Sequence, residues 1–234
     1  MTAASLALLA LLALLGSSDD TTASSATARS SRWSVELSVS AYEPRIDAEF
    51  GGAATPFAEV FGGGRGALYR LDVARSVLRL GGPLEVGVGV GLSHRSGHGR
   101  LPSGDVSADT TGFDVYPLRV TLTYRLELLE ELSVPLVPYA RIGAEGWLWR
   151  VTDGAGSTAK SGGHAGDGAT YGWSAAAGIA LVLDGLDSSI TSSGRRTSLF
   201  VEVSRNGVND FGSRNSWDLS SQGLLVGGGL QLSF

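Results

Sequence analysis

From Trp33 onward the chain alternates apolar and polar side chains with period two, and this pattern limits what it can fold into more than any other feature. Successive side chains of an extended strand point to opposite faces, so sustained alternation describes strands with one apolar and one polar face. Trp33, Val35, Leu37, Val39 and Ala41 share one face of the first segment, with Ser34, Glu36, Ser38 and Ser40 on the other. The pattern returns in Tyr69, Leu71 and Val73 against Arg70 and Asp72, and in Leu84 to Leu92 against Glu85, Gly87, Gly89 and Gly91. It continues in Leu118 to Leu126 against Arg119, Thr121, Thr123 and Arg125. In residues 135–150, Ala140, Ile142, Ala144 and Leu148 stand opposite Tyr139, Arg141, Glu145 and Trp147. Residues 170–183, 197–205 and 224–234 complete a set of eight strands. No long amphipathic helix intervenes among them, and Glu127-Leu-Leu-Glu-Glu-Leu132 could form one helical turn at most, a solvated connection being the simpler reading, so an all-β chain is predicted.

Alternation leaves open which face is inside. A water-soluble barrel buries its apolar face, whereas a membrane barrel turns that face to lipid. The polar face here is rich in Gly, Ser, Ala and Thr, which suits a narrow interior. Its charges balance: Arg32, Arg70, Arg119, Arg125 and Arg141 against Glu36, Asp72, Glu85, Glu145 and Glu202. Buried charges persist when paired, so these residues are expected to form a charge network in the lumen. Arg119 and Arg125 are expected to reach Glu85 and Glu145 on adjacent strands. Trp33, Tyr69, Tyr116, Tyr171 and Trp173 stand near strand ends on the apolar face, the positions of an interfacial girdle. Connections 43–66, 95–112, 151–169 and 206–221 are long, and 78–83, 127–134 and 184–196 are shorter. Long loops on one side and short turns on the other mark outer-membrane barrels. The prediction is an eight-stranded antiparallel transmembrane up-and-down β-barrel in the outer membrane of a Gram-negative bacterium. Outer-membrane lipid and lipopolysaccharide would surround it.

Residues 3–16 form an apolar run of signal-peptide length, followed by the small-x-small site Ala26-Thr27-Ala28. Residues 1–28 are therefore expected to be a signal peptide and 29–234 the barrel domain. The 18 Lys+Arg are outnumbered by 23 Asp+Glu, for a net charge of −5. That acidity argues against nucleic acid as a partner. The chain has no cysteine, which removes disulfides and thiolate metal sites.

The closing residues Leu230, Leu232 and Phe234 resemble the C-terminal signal that outer-membrane proteins present to the barrel-assembly machinery. Tyr42-Glu-Pro-Arg-Ile-Asp47, Glu49-Phe50-Gly51-Gly52 and Thr55-Pro56-Phe57 resemble the opening of a myxobacterial-type outer-membrane β-barrel protein family. Ala176-Ala177-Gly178-Ile179-Ala180 with Leu183-Asp184 resembles the same family further on. The resemblance implies a fold and a location; it brings no catalytic residues. Pro44 and the Gly51-Gly52 pair favour a shaped, turning loop.

Few residues suggest chemistry. His94-Arg-Ser96 resembles the His-x-Ser spacing of barrel lipid A deacylases, in which a histidine activates a serine nucleophile. No sequence neighbour supplies the orienting acid. His94, His98 and His164 lack a carboxylate at ligand spacing. Asp153-Gly-Ala-Gly and Gly166-Asp-Gly168 lack the alternating Asp/Asn ligands of a calcium loop. No catalytic residue, metal or cofactor is expected, and the chain is not expected to be an enzyme. An eight-stranded interior is just wide enough for side chains to fill. The expected role is a structural or interaction scaffold with a side-chain-filled lumen and long surface loops. The alternatives are a narrow channel for small solutes and a lipid-modifying outer-membrane enzyme.

Overall fold

The computed structural model describes residues 33–100, 105–131, 134–161, 163–183, 195–213 and 216–234. The expected signal peptide and Arg32 lie outside the described residues. Eight strands build the barrel: β1 (Trp33–Tyr42), β2 (Gly66–Arg79), β3 (Pro83–Arg100), β4 (Val106–Arg125), β5 (Leu136–Thr152), β6 (Asp167–Val182), β7 (Arg196–Val208) and β8 (Leu225–Ser233). Each pairs antiparallel with its neighbour in sequence, and β8 returns to pair with β1, closing an eight-stranded up-and-down barrel. The seam pairs Val35 with Leu232 and Leu37 with Leu230. It is finished by reciprocal backbone bonds between Trp33 and Phe234, at 3.0 and 2.9 Å. Closure pairs the first and last strands of the barrel, which would otherwise be its edges.

Burial runs opposite to that of a water-soluble barrel. Leu37, Leu71, Val90, Val120 and Ile142 are exposed on the outer wall, and Val201 reaches 65% exposure. Glu36, Arg70, Asp72, Arg119, Arg141, Glu145 and Glu202 are all buried within. Among the described residues no helix is long and apolar enough to cross a membrane.

The two ends of the barrel differ. At the turn end, β2 and β3 are joined through residues 80–82, with Gly81 at φ 68°, and the β4–β5 connection holds one helical turn, Leu128–Glu131. At the loop end, two of the expected loops are shorter than the alternation indicates. Most of 95–112 is strand, because β3 continues to Arg100 and β4 begins at Val106. Likewise β5 reaches Thr152 and β6 starts at Asp167, with a small pair of strands, Lys160–Ser161 and His164–Ala165, between them. Those extensions carry Ser, Thr, Gly and His on both faces, so backbone pairing continues where hydrophobic alternation has ended. Segment 43–65 folds into a 3-10 turn (Ile46–Phe50) and a short helix, α1 (Pro56–Phe61).

Candidate functional site

The lumen is filled at two levels. Nearer the turn end lies an ionic network. Arg125 Nε donates to Glu85 Oε2 at 3.0 Å, while its Nη2 pairs with Glu36. The other Glu36 oxygen is held by Arg141, whose Nη1 also lies 3.3 Å from Glu202 Oε2. Thr123 accepts from Arg141 Nε, and Tyr139 donates its hydroxyl to Glu202 at 3.1 Å. Every guanidinium here is buried, so a fixed carboxylate partner offsets its desolvation.

Arg119 departs from expectation. It grips Asp72 with two bonds of 2.6 Å and does not pair with Glu145, although Glu145 is its direct register partner on β5. The reason lies on β3, where Gly89 is the register partner of both Asp72 and Arg119. A Cβ on Gly89 would fall 3.1 Å from Arg119 Cγ. With only hydrogen there, the arginine lies flat across β3 and meets the aspartate as a bidentate fork. Glu145 instead accepts from Trp147 Nε1 at 2.7 Å. Arg70 is buried beside the network with its Nε unpartnered, as is Glu145 Oε1.

Above the network an apolar cap closes the loop end. Tyr42, Leu68, Trp147 and Val208 from the barrel wall form one buried cluster with Ile46 and Phe57 from segment 43–65 and Leu219 from segment 209–224. Tyr42 meets Trp147 edge-on at 5.1 Å, Phe57 meets Phe113 at 5.5 Å, and Trp149 stacks on Trp217 at 4.3 Å. The polar residues of the 42–57 motif build this cap. Asp47 accepts from the Phe57 and Ala58 backbone N–H groups at 2.7 and 2.9 Å, capping α1 and aiming Phe57 inward. Tyr42 donates to the Leu219 carbonyl at 2.8 Å, and Glu49 accepts from the Asp218 N–H. Glu43 accepts from Gly64 N–H at 2.9 Å. The motif therefore ties the first and last loops together across the mouth. Among the described residues the barrel mouth is filled beside Trp147 and Trp149: Trp147 is fully buried and Trp149 packs against the cap.

On the outer wall, Tyr69, Tyr116, Tyr171 and Trp173 project outward near the loop end, and Trp33 and Phe234 stand at the turn end. Leu230 and Leu232 share this outward face of β8 with Phe234. His94 and Ser96 also face outward on β3. His94 Nδ1 lies 2.7 Å from Asp114 Oδ1 on β4, the acid that sequence spacing did not reveal. Only the register His94↔Asp114 could have found it. Arg150 Nη2 approaches the other Asp114 oxygen at 3.5 Å. Among the described residues no three His, Asp or Glu side chains gather as metal ligands. Asp153 is occupied locally, accepting from the Ala155 and Ser157 N–H groups in a turn.

No family model and no curated protein matches the chain. Three solved structures similar to it are small eight-stranded outer-membrane β-barrels. Neisserial surface protein A (NspA) is 13% identical, with a TM-score of 0.43 over 86% of this chain and 96% of that one. The N-terminal β-barrel domain of Pseudomonas aeruginosa OprF is 12% identical, with a TM-score of 0.39 over 88% and 100%. Ail, the attachment invasion locus protein of Yersinia pestis, is 10% identical, with a TM-score of 0.38 over 87% and 95%.

Proposed function

We propose that the protein is an integral outer-membrane barrel that acts as a structural or interaction scaffold, presenting its loop end outside the cell. The observation that carries this reading is the pairing of an apolar outer wall with a lumen blocked twice, by the Arg–carboxylate network and by the aromatic cap. A wall of Leu, Val and Ile suits acyl chains, and a doubly filled interior suits a scaffold better than a solute channel. Lipopolysaccharide and lipid are its surroundings, Leu230, Leu232 and Phe234 its recognition signal for the assembly machinery, and residues 1–28 its export signal. Protease treatment of intact expressing cells tests the placement. Cleavage within 153–166, with the barrel itself protected and heat-modifiable on gels, is expected. Protection in intact cells that is lost once the outer membrane is permeabilised would contradict it.

A second reading is favoured by one contact, the His94–Asp114 hydrogen bond. A carboxylate only accepts, so Nδ1 carries the proton, and in the neutral imidazole Nε2 is the acceptor. Ser96 lies on the same outward face two residues away, and Leu92 and Tyr116 continue that face into the apolar band. This arrangement would suit hydrolysis of an amphiphilic ester at the membrane surface. Release of p-nitrophenol from p-nitrophenyl laurate in mixed micelles, abolished by Ser96→Ala and by Asp114→Asn, would support it. No release above the blank from folded protein would remove it.

A further inference from the structure

We propose that the outer wall of β4–β7 carries a discrete site for one phosphorylated, acylated amphiphile, with Arg205 holding the phosphate and a groove beside it taking an acyl chain. This rests on the membrane reading and gives it a specific lipid contact. The groove has a volume of about 490 Å³, and its outward-facing walls include Val120, Ile142, Ala144, Trp173 and Ala175. Small side chains at Ala144 and Ala175 deepen it, and the taller Ile142 and Trp173 flank it.

Arg205 distinguishes this groove from ordinary lipid-facing wall. It points outward from β7, is exposed, and stands as the register partner of Ala175 at the groove's edge. Directly opposed residues of an antiparallel pair lie about 4.5–5.5 Å apart, so the arginine stem borders the groove itself. Arg205 takes part in none of the ion pairs found among the described residues. Arg119, Arg125 and Arg141 are buried against carboxylates inside the barrel, whereas Arg205 stands on the apolar outer wall outside every ion pair found among the described residues. A cation there is tolerated where its flexible stem lifts the guanidinium to headgroup level, and a planar guanidinium matches phosphate by two parallel bonds. The Trp173 ring lies against Gly207, where a Cβ would come within 2.7 Å of its Nε1. It thus lies flat along the wall beside Arg205. Tyr171, one outward position nearer the loop end, continues the aromatic edge at headgroup depth.

The test is native mass spectrometry of the full chain folded in non-ionic detergent, titrated separately with phosphatidylglycerol, lipid A and phosphatidylcholine. A saturable one-to-one complex is expected with an anionic lipid, and the stronger of the two anionic arms identifies the source. Arg205→Gln should weaken it at least tenfold, and Ala175→Phe, which fills the groove from outside, should do the same. Lys160→Gln, a loop cation remote from the wall, should leave it unchanged. Heat-modifiable gel mobility confirms that each variant is folded. Equal binding by Arg205→Gln, equal binding of phosphatidylcholine, or unsaturable multiple adducts would overturn the site. Failure of the wild type to insert into lipid vesicles would instead overturn the membrane reading, whatever the detergent titration gives.

Discussion

Gly89 decides where Arg119 points, and Arg119 in turn decides what fills the middle of the lumen. The arginine crosses a strand that has no side chain at that point and neutralises Asp72 beyond it. Arg119→Ala leaves the Asp72 carboxylate buried without its partner, a loss of about 3–5 kcal/mol. Urea titration of the protein refolded in vesicles should show that fall. An unchanged midpoint would mean that the pair contributes nothing. The outward face makes the opposite demand. Val88→Arg places a charge on the mid-wall and should cost roughly 2–4 kcal/mol in lipid, whereas Ala176→Ser adds a hydroxyl to the polar interior and should change little. If both variants refold as the wild type does, the assignment of faces is wrong. The face pattern alone makes Gly87→Ser look equally mild, but a Cβ there would sit 2.9 Å from Thr121 Oγ1 and 3.0 Å from Ala74 Cβ. It should be the more damaging lumen change.

At the scale of elements, the cap depends on α1, six residues that propensity alone would not hold as a helix. Asp47 supplies what is missing by accepting two of its first N–H groups. Asp47→Ala should cost about 1 kcal/mol and speed proteolysis within 43–65, read as the rate of loop nicking on folded protein. No change in nicking would show that α1 is held by Phe57 packing alone. The closing strand makes a separate prediction. Phe234 contributes its side chain outward and its backbone to the seam with Trp33. Phe234→Ala keeps the seam, so detergent refolding should survive while outer-membrane yield in cells falls; equal yield would argue against a recognition role for the ring. The strands were legible in the sequence because period-two alternation records which face each residue takes, and the burial of Glu36, Arg70 and Glu202 follows from it. The ion pairs were less so. Which carboxylate meets Arg119 depends on register and on a glycine in the intervening strand, and neither leaves a trace in spacing. The cap was hidden for a related reason: Tyr42, Phe57 and Leu219 are brought together from segments with no period at all. The acid beside His94 needed the same cross-strand information.

At the scale of the whole molecule, the barrel is a closed wall around two stacked plugs of different chemistry. The ionic plug is held by pairs that would each be costly to break singly, and the apolar plug by rings tied down through Asp47, Tyr42 and Glu49. One bond, from Trp147 Nε1 to Glu145, joins the two; Arg119 has no part in it, so loss of Arg119 should leave the apolar plug in place. Arg119→Ala should therefore admit water to the lower lumen without opening a stable pore. The most direct measurement is single-channel recording of the wild-type protein in a planar lipid bilayer. A lumen blocked at both levels predicts no steady conductance, and for Arg119→Ala at most brief, irregular openings. Reproducible unitary current steps from the wild type, unaltered by Arg119→Ala, would contradict the filled-lumen account and make the protein a channel.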